Sequence, residues 1–359
     1  MKLIIAGFYL LFFCYCPVVT AQTKPALSRE HLNLDASWRF AYGNPVDAAK
    51  DFNTATSYFS YLTKAGYGDG AAAAGFDDRP WRQLNLPHDW AAEAGFSDRG
   101  SFSHGFKAIG RNFPESSVGW YRKKISINKT DFGKHITIAF DGVFRNSIVW
   151  INGHYLGQEP SGYNGFEYDL TDYLNYDGNE NTIAVRVDAT MEEGWFYEGA
   201  GIYRHVWLNK TSPLHVATNG TFVTSEVKNN LATVHAEVSL KNSGKNSSSF
   251  IIRQSVCDQN GRILSTQNTP LQTLASFKEG KFSNDFTVNQ PKLWSVEAPY
   301  RYRLITSVLE NNIEVDRYET RFGIRTLRFD ANTGFFLNGK RFEVKGTNNH
   351  QEHAGVGTA

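Results

Sequence analysis

The feature that most constrains this fold is a repeated alternation of apolar and polar residues, without any long amphipathic helical stretch. In the segment LATVHAEVSL, Val234, Ala236, Val238 and Leu240 fall on one face, and polar residues occupy positions between them. A period of two residues is typical of a strand with one buried face. The segments YRKKISI and NTIAVRV repeat this pattern, so the sequence predicts a mostly β chain built from sandwiches.

Asn-Gly pairs mark the predicted turns, at 152–153, 260–261 and 338–339. Asn-Gly favours hairpins because both central positions of a type I′ turn need a positive φ. The polar run 241–249 predicts a long loop, and the alanine-rich stretch 68–76 predicts a loop or one helical turn. The last predicted hairpin has a second arm at 342–345.

The N-terminus has the pattern of a secretory signal peptide. Lys2 precedes the apolar run LIIAGFYLLFF, and Val19, Thr20 and Ala21 fit a cleavage site with small residues. The run is too short for a convincing membrane span. We therefore expect an exported protein, periplasmic or secreted. A form anchored by a lipid on Cys14 is the weaker alternative, because the bulky Phe13 precedes that cysteine.

Removal of residues 1–21 leaves 36 basic and 36 acidic residues, with no basic run. This balance argues against nucleic acid or an anionic membrane surface as a partner. Of the three cysteines only Cys257 remains, so an internal disulfide is excluded. The predicted domains must be stabilised by their cores.

Seven segments together resemble glycoside hydrolase family 2, in particular secreted bacterial β-galactosidases of the Bacteroidetes type. They include DDRPWRQLNLPHDW, GWYRKKI and WFYEGAGIYRHVWL, and lie at 77–90, 119–125, 140–171, 195–208, 290–304, 321–327 and 335–357. The resemblance implies a signal peptide, a sugar-binding jelly-roll β-sandwich, an immunoglobulin-like β-sandwich and the first strands of a truncated (β/α)8 TIM barrel. The corresponding ranges are 1–21, 26–213, 214–325 and 326–359.

The resemblance also implies a retaining glycosidase that releases terminal β-galactose from oligosaccharides or polysaccharides. Retaining enzymes use two carboxylates about 5–5.5 Å apart. In the family both are glutamates on later barrel strands, so we expect the catalytic pair beyond residue 359 and no catalytic residue within this chain. Glu352 does not match either catalytic motif. The chain is therefore expected to be an N-terminal fragment that is inactive by itself.

Five residues are predicted to bind substrate by their match to family positions. His350 and Asn349 match the start of the barrel, and a neutral imidazole can donate to and accept from sugar hydroxyls. Asp188 matches an aspartate that contacts galactose or a nearby cation, and Trp195 is a candidate stacking platform. Asn112 lies in a loop that the family directs toward the pocket.

Each of these residues also has a structural interpretation. Asp188 could bond the turn that ends its strand, Trp195 could belong to the core, and His350 could cap a strand end. His353 completes His-x-x-His, but the order is not that of a zinc protease and a third ligand is missing nearby. No cofactor is certain. A monovalent or divalent cation in the full-length enzyme stays open, with Asp188 as a weak candidate ligand.

Two further motifs are assigned structural roles. His88, Asp89 and Trp90 predict an aspartate-bonded turn and a buried indole, since a serine nucleophile is missing nearby. Arg204 predicts an internal salt bridge or a backbone clamp.

Two alternatives to a β-galactosidase remain. The first is a β-mannosidase or β-glucuronidase of the same domain order. The second is a non-catalytic sugar-binding protein made of two sandwiches. Homo-oligomerisation is not decided by the sequence.

Overall fold

The computed structural model describes residues 29–54, 68–192, 194, 198–348 and 357. The predicted signal peptide lies outside these residues. Strands are numbered β1 to β21 in chain order, and the single α-helix among the described residues, α1, spans Trp90–Glu93. No helix within the described ranges is long and apolar enough to cross a membrane.

The first domain is a sandwich of two antiparallel sheets. Its four-stranded sheet has the order β1 (Glu30–Asn33), β10 (Val206–Thr211), β5 (His135–Phe140), β8 (Phe166–Asp169). Its six-stranded sheet has the order β3 (Arg82–Leu84), β2 (Trp38–Tyr42), β4 (Val118–Ser126), β9 (Glu180–Asp188), β6 (Ser147–Ile151), β7 (His154–Glu159). Buried residues of both sheets, among them Trp38, Ile138, Val185 and Leu208, form the core between them.

A second apolar cluster covers the outer face of the six-stranded sheet. Trp120 and Trp150 stack with their ring centroids 5.5 Å apart, and the 3-10 turn Gly70–Ala72 packs against the same cluster. This turn confirms the prediction for the alanine-rich stretch. Burial of the alanine methyl groups stabilises a segment that is too short to be helical by propensity alone.

Arg122 on β4 fixes this covering segment to the sheet. Its side chain is fully buried and forms an ion pair with Asp78, with Nε 2.9 Å from Oδ2. The remaining donors reach four backbone oxygens, those of Ala71, Ala73, Ala74 and Phe76. A guanidinium group suits this place because it presents five donors in a fixed plane.

The second domain is a smaller sandwich. One sheet has the order β11 (Leu214–Lys228), β12 (Leu231–Asn242), β16 (Lys278–Asn289). The other has the order β14 (Ile263–Asn268), β13 (Ser248–Cys257), β17 (Tyr302–Glu310), β18 (Ile313–Phe322), with β15 (Gln272–Leu274) paired to β13. The predicted alternation on β12 is confirmed, because Val234, Ala236, Val238 and Leu240 are fully buried.

Arg29 connects the two sandwiches. Its Nη2 lies 2.8 Å from Oδ2 of Asp316, which is fully buried on β18, and 2.6 Å from the backbone oxygen of Val216. The same carboxylate accepts from the backbone N–H of Val216 at 2.7 Å. The residue just before β1 thereby holds the start of β11 and the middle of β18.

The Asn-Gly prediction is confirmed at two of the three pairs. Residues 152–153 and 338–339 both have positive φ and close two-residue hairpins, β6–β7 and β20–β21. At 260–261 only Gly261 has positive φ, and the loop between β13 and β14 is longer.

Two predicted boundaries are wrong. The long polar loop 241–249 is reduced to 243–247, because β12 and β13 extend into it. The last hairpin is a three-stranded sheet of β19 (Leu327–Asp330), β20 (Gly334–Leu337) and β21 (Lys340–Arg341), so its last arm precedes the predicted 342–345. The turn at 338–339 sets this register.

Candidate functional site

The structure describes two of the five predicted substrate-binding residues, Asp188 and Asn112. Trp195, Asn349 and His350 lie outside the described residues, as do Glu352 and His353. Their predicted roles stay predictions. The described part of the candidate site consists of residues around the end of β9.

Asp188 is the last residue of β9, and its carboxylate is held on two sides. Oδ1 accepts from the backbone N–H of Thr190 at 3.0 Å, and Oδ2 accepts from Nη1 of Arg186 at 3.3 Å. The side chain is 18% exposed, so it can be reached from solvent. A carboxylate with one bond to each oxygen retains lone pairs for hydroxyl donors.

The bond to Arg186 belongs to a buried chain of polar groups on the six-stranded sheet. Nε of Arg186 lies 2.9 Å from Oδ2 of Asp51, and Oδ1 of Asp51 accepts from the indole N–H of Trp120 at 2.7 Å. The bond to Asp51 fixes the position of the Arg186 guanidinium, which also contacts Asp188. Arg186 therefore orients the Asp188 carboxylate, and its single charge is shared between Asp51 and Asp188.

Asn112 lies at the same end of the sheet, in the loop that leads into β4. The first residue of β4, Val118, pairs directly with Asp188. The Asn112 amide donates to the backbone oxygen of Arg99 at 3.0 Å, and the Arg99 guanidinium donates to the backbone oxygen of Asn112 at 3.2 Å. Both residues are exposed, and this reciprocal pair closes the loop.

The structural interpretation of the His-Asp-Trp segment is confirmed. The Asp89 carboxylate accepts from the backbone N–H groups of Ala91 at 3.0 Å and Ala200 at 2.8 Å, and thereby caps α1. Trp90 is fully buried and its indole donates to the backbone oxygen of Ser116 at 2.9 Å. His88 is buried beside Tyr121, and burial lowers its pKa.

Asp89 also contacts the C-terminal part of the chain, a role that the sequence did not reveal. Gly357 is buried, and a Cβ built on it would lie 2.7 Å from Oδ2 of Asp89 and 3.0 Å from Cβ of Ala92. Gly199 approaches the same carboxylate closely. Gly357 itself therefore lies beside α1, against Asp89 and Ala92.

Two residues that the sequence analysis missed, Ser103 and His104, bind the backbone of Gly194 and Glu198. Ser103 donates through Oγ to the backbone oxygen of Gly194 at 2.5 Å, and its own backbone oxygen accepts from the N–H of Glu198 at 2.6 Å. His104 is fully buried, with Nδ1 3.0 Å from the backbone oxygen of Glu198. Both flanks of the range 195–197 are thus anchored. No pattern in SFSHGF signals this contact.

The prediction for Arg204 is wrong. The residue is exposed, and its guanidinium lies over the Tyr203 ring, 5.9 Å from the centroid. Within the described ranges, no group of three or more His, Cys, Asp or Glu side chains could hold a metal ion.

Comparisons with known families identify the class of protein to which the two sandwiches belong. The family "Glycosyl hydrolases family 2, sugar binding domain" matches residues 108–212, and "Glycosyl hydrolases family 2" matches residues 214–325. The chain belongs to glycosyl hydrolase family 2.

Curated relatives carry two activity names. The chain is 39% identical over 333 residues to "Beta-galactosidase BoGH2A" of Bacteroides ovatus, which covers 92% of this chain and 36% of that protein. It is 36% identical over 285 residues to a "Putative beta-glucuronidase" of Formosa agariphila, covering 79% of this chain and 26% of that protein. The chain spans about a third of the length of these relatives.

Solved structures agree on the fold. A family 2 member from Bacteroides cellulosilyticus matches with a TM-score of 0.75 and 32% identity, covering 88% of this chain and 38% of that one. A β-glycosidase from Bacteroides vulgatus matches with a TM-score of 0.74 and 31% identity, covering 92% and 38%. The predicted family and mostly β fold are therefore confirmed.

Proposed function

We propose that this chain provides the sugar-binding and immunoglobulin-like domains of an exported glycoside hydrolase that releases terminal β-galactose from oligosaccharides or polysaccharides. The observation that supports galactose most directly is the 39% identity to a β-galactosidase, sustained over 92% of the chain. The relevant contribution of these domains is the edge at the end of β9, where Asp188 is partly exposed and held in a fixed orientation.

In this proposal Asp188 accepts hydrogen bonds from sugar hydroxyls, and charge assistance strengthens them. Arg186 acts as its positioning residue. The two glutamates of the retaining reaction come from the barrel, and the described strands form open sheets without a closed barrel. The 359 residues alone are therefore proposed to be inactive, and His350 and Asn349 to contribute to the same pocket.

The test compares the whole gene product with the 359-residue chain on aryl β-galactoside, β-glucuronide and β-mannoside. We expect hydrolysis of the galactoside by the whole protein and none by the chain alone. Turnover by the purified chain would refute the proposed inactivity. A higher kcat/KM on either of the other two glycosides would refute the specificity.

Asp188→Ala tests the proposed contact in the whole enzyme. Loss of a hydrogen bond to a charged group costs about 1.5–3 kcal/mol, so kcat/KM should fall roughly 10- to 150-fold. Asp172→Ala, at an exposed position of the same domain, is the control and should leave kcat/KM unchanged. Equal kcat/KM values for the two variants would refute the proposed contact between Asp188 and the substrate.

β-Glucuronidase is the second candidate, because relatives with that name match at 36% and 28% identity. It predicts that the β-glucuronide is the preferred substrate in the same assay. Export is a separate proposal that rests on residues 1–21, and fractionation of producing cells tests it. Protein retained in the cytoplasm with residues 1–21 intact would contradict export.

A further inference from the structure

A cleft between the two sandwiches has a volume and a set of lining residues that suit a second ligand site. It encloses about 640 Å³ above the outer face of the four-stranded sheet. Asp188 belongs to the other sheet of the sandwich, so this cleft is distinct from the site at the end of β9. Its volume falls within the range of roughly 300–1,000 Å³ that is usual for small-molecule sites.

Small side chains at the centre of the sheet make the floor of the cleft. Ala139 on β5 pairs with Trp207 on β10 and with Glu167 on β8. Its methyl group lies between a large aromatic side chain and a carboxylate, and Thr137 continues the low floor. The register thus creates a trough with one aromatic wall and one polar wall.

The aromatic wall is held in place. The Trp207 ring stacks on the His31 ring with centroids 4.1 Å apart, and its indole N–H donates to Oδ2 of Asp141 at 2.9 Å. Trp207 is only partly buried and lines the open cleft. A fixed indole offers a flat apolar surface at little cost in conformational entropy.

The polar wall consists of Glu167, Asn209 and Thr218, and Oδ1 of Asn209 also lies 2.5 Å from Nδ1 of His31. Glu167 accepts from the amide of Asn209 at 3.3 Å and from the hydroxyl of Thr218 at 3.2 Å. Both distances lie at the long end of the hydrogen-bond range and both end on Oε2, so Oε1 keeps a lone pair for a further donor. Thr218 belongs to the second sandwich, so both domains contribute to this wall.

Two carboxylates of the cleft, those of Asp141 and Glu167, accept hydrogen bonds from neutral groups. Arg29 is paired with Asp316, and Glu319 lies within 3.3 Å of Arg303. The carboxylate of Asp141 is bonded to the Trp207 indole. An anionic ligand would therefore meet the carboxylates of Asp141 and Glu167, whereas a neutral ligand rich in hydroxyl groups would meet both acceptors and an apolar surface.

We propose that this cleft binds a short neutral oligosaccharide, with one sugar ring on Trp207 and its hydroxyl groups on Glu167 and Asn209. The floor at Ala139 admits the ring, and Thr218 closes the site from the second domain. Binding here holds the enzyme on its substrate without taking part in hydrolysis. Because it bridges the two sandwiches, the bound ligand also stabilises their arrangement.

Isothermal titration calorimetry of the 359-residue chain with lactose and with cellobiose tests the proposal. We expect a Kd of about 0.1–10 mM for at least one of them, as for a weak single site. Trp207→Ala should weaken binding about tenfold or more, and Ala139→Phe should abolish it by filling the trough. Phe222→Ala removes an exposed aromatic on β11 and should leave binding unchanged.

Absence of binding to both disaccharides at about 10 mM would overturn the proposal. So would binding that survives both Trp207→Ala and Ala139→Phe, with circular dichroism showing that the variants are folded. Tighter binding of a disaccharide that contains glucuronic acid than of lactose and cellobiose would refute the proposal that the ligand is neutral. The measurement needs no hydrolysis, so a failure here is distinct from a failure of the proposed β-galactosidase activity.

Discussion

Replacement of Arg122 by methionine should destabilise the first sandwich strongly. The guanidinium is fully buried, and it provides both the counter-ion of Asp78 and the donors for four backbone oxygens. Burial lowers the pKa of this guanidinium, and the Asp78 carboxylate partly offsets that effect. Methionine preserves most of the length of the side chain but removes the charge and all five donors.

The size of the effect follows from what the substitution leaves behind. Breaking one side of a buried ion pair costs about 3–5 kcal/mol, because the remaining charge loses its partner. At an m-value of about 2–3 kcal/mol per molar urea, the unfolding midpoint should fall by roughly 1–2 M. A second substitution, Asp78→Asn, removes the orphaned charge and should recover part of the loss.

Urea unfolding followed by tryptophan fluorescence measures this change. Seven of the eight tryptophans precede residue 213, so the signal reports mainly on the first sandwich. Lys124→Met is the matched control, because Lys124 lies two residues further along β4 and forms an exposed pair with Glu180. Its midpoint should change little. If Arg122→Met and Lys124→Met shift the midpoint equally, the buried clamp does not stabilise the domain as argued.

Two further perturbations have defined outcomes. Gly201→Ala places a Cβ 2.4 Å from the backbone oxygen of His88 at a φ of +128°, so it should lower the free energy of unfolding by about 2–4 kcal/mol. Gly178→Ala, at positive φ in open space, should cost only about 1 kcal/mol, and equal costs in urea unfolding would contradict the steric argument. Burial, and then the charges of His135 and Arg29, lower the pKa of His215 to about 4. Since the unfolded chain binds this proton more readily, stability should fall by on the order of 3 kcal/mol from pH 6.5 to pH 4, and His215→Gln should reduce that slope in thermal melts while His235→Gln leaves it unchanged.

The strands could be predicted from the sequence because their signal is local. On β12 the alternation of small apolar and polar residues fixes which side chains are buried, and the pair 152–153 fixes where β6 turns into β7. The role of Asp89 could also be predicted from the sequence, because an aspartate at the start of a turn bonds the backbone N–H groups that follow. The family resemblance supplied the predicted domain order and the prediction that Asp188 binds substrate.

The features that escaped prediction depend on distant parts of the chain. The sequence shows Arg122 only as a basic residue on a strand. Its contacts with the segment 71–78 depend on the folded structure. The trough at Ala139 depends on which residues of β8 and β10 lie beside it, and a single sequence does not fix that register. Arg204 was misread because its neighbours Tyr203 and Val206 are buried whereas its own side chain points outward.

The contact between Arg29 and Asp316 sets an order of events during synthesis. The two residues are separated by 287 positions, so almost the whole of both sandwiches is synthesised between Arg29 and Asp316. At about 5–20 residues per second, that interval is roughly 15–60 s. The two domains can therefore be joined by this contact only after nearly all of both has been made, and the contact uses one of the first residues of the described chain.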